Sequence, residues 1–318
     1  MSGSAPPPSP DAPQAAGILA GIGHTPLVEL RLEDMPAGAR LFAKLESVNP
    51  GGSIKDRPVA RMLTQALAAG RFAGGRRLLD SSSGNAGISY AMLGAALGVP
   101  VTIVVPGNAS QERLERIAAH GAELILTDPI EGYDFALREA RRLAEERPDR
   151  YWHCNQYRNA DNWRAHYHGT GGEILAQVRE QAGALPDCFI GGVGTGGTLT
   201  GVGRRLREAN PGVHLVSVIP EIFPGIEGLK PLGHPGDIVP DILDQSLMER
   251  RIDVTIDQAL AMCRRLVRLG LFVGPSSGAY VHAAAQVAAE GRFKTLVTLL
   301  NDTGERYLST GMWAQARE

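Results

Sequence analysis

The chain has 318 residues, of which 43% are hydrophobic and 21% charged. That is enough for two domains of ordinary size and too apolar for wholesale disorder. Lys and Arg number 32 against 34 Asp and Glu, a formal net charge of -2, so no general attraction to nucleic acid or to an anionic membrane is expected. Apolar runs such as 101–106 fall far short of the ~20 residues of a membrane helix.

In chain order, residues 2–14 are rich in Pro, Ser and Ala without a basic start and apolar core; they read as a disordered tail over 1–14 rather than a signal peptide. Short β-like runs then alternate with helical periods. The pattern predicts a strand at 41–45 and a helix at 57–69, with Val59, Met62, Leu63, Ala66 and Leu67 on one face, Asp56 and Pro58 as starting signals and Gly70 as a stop. It continues with strand 77–79, helix 86–97, strand 101–105, helix 111–120, strand 123–126 and helix 134–146. A polar stretch over 151–170 separates this half from a second: strand 188–191, helix 198–208, strand 214–219, helices 256–269 and 278–289, and strand 295–300. Alternation of this kind implies an α/β fold with mostly parallel sheets flanked by helices. The predicted organisation is a smaller domain over 46–155 and a larger one formed by 15–45 and 156–318.

Two compositional skews bear on function. Glycine is 39 of 318 residues, about 12% against a usual ~7%, so much of the backbone turns tightly or approaches something closely. Lysine occurs at only Lys44, Lys55, Lys230 and Lys294, so chemistry that requires a primary amine has few candidates. The cysteines, Cys154, Cys188 and Cys263, are odd in number, without a CxxC or a nearby His pair. They suggest neither a disulfide framework nor a metal site, and a reducing cytoplasm is the simplest setting.

Four glycine-rich segments carry candidate chemistry. In Asn49-Pro50-Gly51-Gly52-Ser53-Ile54-Lys55-Asp56-Arg57 a turn delivers a lysine to the mouth of a helix, where the helix dipole disfavours its cationic form; alone, it would equally serve as a solvated surface turn. Asp80-Ser81-Ser82-Ser83-Gly84-Asn85-Ala86-Gly87 lies between a strand and a helix. Its hydroxyls, side-chain amide and backbone N–H groups suit a carboxylate or phosphate, or simply cap the helix. Gly191 to Thr198 again joins a strand to a helix, with amides able to surround a phosphate and Thr195 and Thr198 adding hydroxyls. The spacing of Gly192, Gly194 and Gly197 also permits a dinucleotide-binding turn. That reading lacks its acid, because the next strand ends in Ile219 and Pro220. Gly274-Pro275-Ser276-Ser277-Gly278 presents a neutral hydroxyl before an Ala-rich helix and by itself is only a cap.

Together and in this order the segments resemble the β-family (fold-type II) of pyridoxal-phosphate enzymes, and within it the cysteine synthases (O-acetylserine sulfhydrylases). Gly23-His24-Thr25-Pro26-Leu27, Gln156 with Tyr157, and Asp302 to Ser309 extend the likeness over residues 18–312. The resemblance implies a tryptophan-synthase-β-like fold with pyridoxal 5'-phosphate in the cleft between two domains. It implies that Lys55 carries the cofactor and removes the substrate Cα proton, that Asn85 meets the cofactor's ring oxygen, and that Ser82, Ser83, Gly84 and Asn85 with Gln156 hold the substrate carboxylate. Gly194, Thr195, Gly196, Gly197 and Thr198 would cradle the phosphate, and Ser276 would face the pyridine nitrogen.

The implied reaction is β-replacement: an O-activated serine, O-acetylserine first, loses its leaving group to give an α-aminoacrylate, and sulfide or thiosulfate adds to give L-cysteine. O-phosphoserine sulfhydrylase and cystathionine β-synthase are alternatives within the class, and a non-catalytic cofactor-binding homologue is the alternative outside it. Residues 55–58 and 223–230 look like the B-type synthases, and Lys230 is a candidate for a phosphorylated serine. Ser82 and Ala86 stand where the family has threonines, His24 where it has Asn, and Ile219 where it has Glu; His24 reads as a structural variant. A homodimer acting on small molecules in the cytoplasm is expected, without a metal. Docking of serine acetyltransferase is not expected, the chain ending at 313–318 without the family partner's terminal isoleucine.

Overall fold

The computed structural model describes residues 13–82, 84–233 and 238–313. Residues 1–12 of the expected tail lie outside these, whereas 13 and 14 open a helix, α1 (Pro13–Ala20). Strands β1 (Leu27–Leu30) and β2 (Arg40–Leu45) pair antiparallel. Then follow α2 (Asp56–Ala68), β3 (Arg77–Ser81), α3 (Asn85–Leu97), β4 (Val101–Pro106), α4 (Gln111–Ala119), β5 (Glu123–Thr127), α5 (Gly132–Glu146) and β6 (Tyr151–His153). The second half holds α6 (Ala160–Ala165), a π-helical turn (His166–Gly171), α7 (Gly172–Ala182), β7 (Cys188–Gly192), α8 (Gly197–Ala209) and β8 (His214–Pro220). It ends with β9 (Arg250–Val254), α9 (Ile256–Arg268), α10 (Pro275–Ala289) and β10 (Thr295–Leu300).

These form two sheets. One has six strands in the order β1-β2-β10-β7-β8-β9 and the other four in the order β5-β4-β3-β6. All pairings but β1 with β2 are parallel, as the strand–helix alternation predicts. β4 and β10 are buried at all six positions, which is why they read as unbroken apolar runs: helices cover both faces of a parallel sheet. α2 buries Val59, Met62, Leu63 and Ala66 against α3 and the four-stranded sheet, and Gly70, at φ 64°, ends the helical turn that follows it. A larger apolar cluster fills the space around the six-stranded sheet.

Several elements depart from the sequence pattern, which does not mark α1, β1 or α7. The stretch 151–170, expected to be a connection, contains β6, α6 and the π-helical turn. Polar residues are buried in its interior, His166 meeting Thr170 at 3.0 Å and Asn162 holding Gln156 O and Thr195, so no apolar period marks it. The edge strand β9 alternates exposed Arg251 and Asp253 with buried Ile252 and Val254 and is too short to stand out. α10 begins at Pro275, not at 278, so Ser276 lies in its first turn; proline is pre-set for that position because its missing N–H would have no helical acceptor there anyway.

Candidate active site

The C-terminal ends of β3, β4, β7 and β10 face one cleft of about 910 Å3, lined by both halves of the chain. This is where an open parallel sheet places its ligand, because the loops after the strands converge there. Lys55 sits at the N-cap of α2 and lines the cleft. Among the described residues its Nζ makes no hydrogen bond or ion pair, and burial pushes its pKa down, with Asp302 opposing. The direction is the one expected from the helix start, but desolvation is the main cause. The turn before it is fixed by Asp56, whose carboxylate accepts from the Gly51 amide at 2.5 Å and from Ser89 Oγ at 2.5 Å. A Cβ on Gly51 would stand 2.2 Å from Asp56 Oδ1, so glycine is required there by close approach.

Beneath this turn lies a buried charged network. Arg57 donates to Glu46 through Nε (2.7 Å) and Nη2 (2.9 Å) and to Glu173 through Nη1 (2.6 Å) and Nη2 (2.8 Å). Lys44, with no exposed surface, pairs with Glu173 at 2.7 Å. It fastens α2 to α7 and β2 directly behind Lys55.

On the loop after β3, Ser82 Oγ accepts from the amides of Gly84 (3.1 Å) and Gly87 (2.8 Å), capping α3 and keeping its own proton free to donate. Asn85 donates to Asp302 Oδ2 at 2.7 Å and accepts from Arg306. Gln156 is buried at the cleft wall, its Nε2 donating to Ser81 O at 2.8 Å and its backbone N–H to Asp80 Oδ2 at 3.1 Å. Ser82, Gly84, Asn85 and Gln156 thus share one wall; Ser83 lies outside the described residues.

Across the cleft, the amides of Gly194, Thr195 and Gly196 have no acceptor among the described residues, and they stand immediately before α8, a helix of 13 residues. Thr195 Oγ1 accepts from Asn162 Nδ2 at 3.1 Å, and Thr198 Oγ1 lies 3.3 Å from His166 Nε2. Gly194, Thr195, Gly196 and Thr198 line the cleft; Gly197 does not, its α-carbon lying so close to Asn162 that a Cβ would meet Oδ1 at 2.0 Å. Ser276 Oγ accepts from Asn301 Nδ2 at 3.2 Å and also lines the cleft. An anionic group suits the free amides at the helix start, and an amine without a counter-ion opposite a neutral hydroxyl suits an aldehyde cofactor carrying a phosphate. The residues present fit pyridoxal phosphate.

His24, at φ 49°, is exposed and gives its amide to Glu173 at 3.0 Å, a position that histidine tolerates better than most residues and one outside the cleft lining. Lys230 is not a free cation: it pairs with Asp134 at 2.9 Å and donates to Ile238 O at 3.2 Å. Arg113 and Asn162 carried no sequence signal, whereas Glu227, Asp302 and Tyr307 lie in segments that carry the family likeness without having been given a role. Arg113 and Glu227 form an ion pair at the cleft. Asp302 also accepts from Tyr307 Oη at 2.7 Å. Asn162 holds both Gln156 O and Thr195.

The fold and the cleft fit an enzyme that works through a bound phosphate-bearing cofactor. Residues 18–302 match the model of the family described as pyridoxal-phosphate dependent enzyme. The chain is 44% identical to a cysteine synthase of Aquifex aeolicus, covering 93% of this chain and 92% of that protein. It is 39% identical to cysteine synthase B of Pseudomonas aeruginosa, covering 92% and 95%. Among solved structures, an O-ureido-L-serine synthase superposes with a TM-score of 0.86 at 37% identity, covering 95% of this chain and 96% of the other. A cysteine synthase of Entamoeba histolytica superposes with 0.85 at 33%, covering 98% and 94%. The chain belongs to the pyridoxal-phosphate-dependent enzyme family, in its cysteine synthase group. Its cofactor is pyridoxal phosphate.

Proposed function

We propose that this enzyme makes L-cysteine by β-replacement, taking O-acetylserine as the activated serine and sulfide as the sulfur donor; thiosulfate in the same role gives S-sulfocysteine, whose sulfite group stays on the sulfur until a separate reductant removes it. The observation that carries this reading is Lys55, an unpaired amine with a lowered pKa, facing a cleft that also presents the carboxylate-type wall and the amide-rich loop.

When bound, pyridoxal phosphate supplies the electron sink for the pair left at the substrate Cα. In our reading Gly194, Thr195, Gly196 and Thr198 hold its phosphate, Asn85 its ring oxygen, and Ser276 its ring nitrogen through a hydroxyl. A hydroxyl cannot keep that nitrogen protonated as a carboxylate would, and this favours prompt departure of the β-leaving group. Ser82, Gly84, Asn85 and Gln156 orient the substrate by its carboxylate, and Lys55 Nζ holds the cofactor and then takes the proton from Cα. Its lowered pKa supports that step, since a neutral amine is the competent base. The elimination and the addition balance: the proton and the leaving anion depart, and a thiol and its proton take their places.

We also infer the division into 46–155 and 15–45 with 156–318, a homodimer, and a cytoplasmic setting without serine acetyltransferase docking. Separate sheets support the division, although Ile18, Leu19 and Ile22 pack against the apolar cluster of the smaller domain. Among the described residues no helix is long and apolar enough to cross a membrane. The test is spectroscopic. The purified protein carries a yellow cofactor band that Lys55→Ala abolishes, and O-acetylserine shifts that band before sulfide restores it with formation of cysteine. A colourless wild type, or a band that no O-activated serine shifts, refutes the reading.

A further inference from the structure

Three cations line the cleft: Lys55, Arg113 and Lys230. Lys55 has its role, and Lys230 is tied to Asp134 and Ile238 O. Arg113, on the first turn of α4, is 2% exposed. Its guanidinium lies 4.8 Å from the centre of the Tyr307 ring, and one amino group pairs with Glu227. Among the described residues its Nε is buried without a hydrogen-bond partner. That nitrogen lies against the substrate loop: a Cβ on Gly84 would stand 2.8 Å from it.

Glu227 differs from Arg113 in every relevant respect. Its side chain is 35% exposed against 3% for Arg113. Its only hydrogen-bonded or ionic partner among the described residues is Arg113. It sits between Gly225 (φ 77°) and Gly228 (φ 85°), so its segment bends at residues without a side-chain penalty. The pair therefore has one fixed member and one that reaches water when released.

We propose that Arg113 is the residue that selects a negatively charged group on the reactants, with Glu227 as the built-in carboxylate that this group displaces. The chemistry it recognises is a compact oxyanion, matched to the guanidinium fork: a phosphate leaving group on serine or an oxyanionic sulfur donor such as thiosulfate. The proposal rests on the cysteine-forming reading above. It moves the oxyanion site from Lys230, which is already paired, to a cation beside the substrate loop.

The experiment measures dissociation constants on the holoprotein by calorimetry. O-phospho-L-serine and thiosulfate are the charged probes, and O-acetyl-L-serine is the probe without the extra charge. Arg113→Met weakens at least one charged probe by about tenfold more than O-acetyl-L-serine, the scale of losing a buried charge-assisted contact. Glu227→Gln tightens the same probe, since no carboxylate then competes. A response of O-phospho-L-serine places the charge on the leaving group, and a response confined to thiosulfate places it on the sulfur donor. If Arg113→Met does not fold, Arg113→Lys replaces it: it keeps the charge but not the fork, and weakens the probe by less. The inference is overturned if Glu227→Gln leaves both charged probes unchanged or weakens them, or if the arginine variant treats all three probes alike. Cysteine formation by the wild type with no anion response in the variants sinks this inference alone. An anion response in a protein that forms no cysteine sinks the reading of function instead.

Discussion

Replacing Glu173 by glutamine tests whether the charged network behind Lys55 holds the two halves of the chain together. The carboxylate bridges Arg57 (2.6 and 2.8 Å) and Lys44 (2.7 Å). Without it Arg57 keeps Glu46, but Lys44 is left buried with only the neutral acceptors Thr25 O at 2.7 Å and Gln177 Oε1 at 2.8 Å. Burial alone would raise the carboxyl's pKa; hydrogen bonding and attraction from Arg57, then Lys44, outweigh it and bring the pKa from 4.5 down to about 2. At ~1.4 kcal/mol per pH unit that fall is worth about 3 kcal/mol at neutral pH, consistent with the ~3–5 kcal/mol for breaking a buried pair. With an unfolding entropy of ~2.1 cal/mol/K per residue, Glu173→Gln lowers the melting temperature by roughly 5 °C at pH 7. The folded-state pKa is depressed, so the stabilisation is fully present above pH 4.5 and is lost as pH falls towards 2. In thermal melts of the holoprotein the gap between wild type and variant is therefore constant from pH 7 to about 5 and narrows below that. Glu29→Gln, which breaks the more exposed pair with Arg40, serves as control and shifts melting by about 1 °C or less. A gap that persists unchanged down to pH 3, or no gap at pH 7, refutes the reasoning.

Other outcomes follow from the same geometry. In Gly194→Ala the new Cβ meets Gly228 O at 2.5 Å, a backbone atom that cannot step aside cheaply, so cofactor affinity measured by dialysis falls by about tenfold or more; unchanged affinity argues against the loop as the phosphate site. Asn162→Ala frees Gln156 O (2.7 Å) and Thr195 Oγ1 (3.1 Å) together. It costs about 1–3 kcal/mol in stability and weakens both the cofactor and the amino-acid substrate, whereas loss of only one would show that the two walls are not coupled through it. Cys154, Cys188 and Cys263 are buried and unpaired, and burial raises each thiol's pKa. A thiol reagent at neutral pH therefore modifies none rapidly in the native protein and all three after denaturation; a fast native reaction contradicts the packing.

Much of this architecture was written locally. The turn before Lys55, the start of α2 and the all-apolar β4 and β10 are legible because each obeys a short-range rule: glycine where two groups touch, a 3.6-residue apolar period, an unbroken run where both sheet faces are covered. The glycine-rich loops are legible for the same reason, since each stands at the start of a helix. The stretch from 151 to 170 was not, because Asn162, His166 and Thr170 are buried in it among the apolar residues and break any apolar period. His166 and Thr170 make sense only once each has found the other at 3.0 Å, and nothing in their spacing announces a core.

The sequence by itself determined that the chain alternates strands and helices, that its four glycine clusters lie at helix starts, and that Lys55 alone among four lysines sits in such a cluster. The tertiary structure decided which charges are free. Lys44 and Lys230, as cationic as Lys55 on paper, are bound to Glu173 and Asp134, partners 129 and 96 positions away, while Lys55 is left without one. It likewise brought Arg113 against Gly84 and opposite Glu227. The physical reason is that an ion pair depends on distance in space and on the water excluded around it, and neither quantity is encoded within the reach of a local pattern.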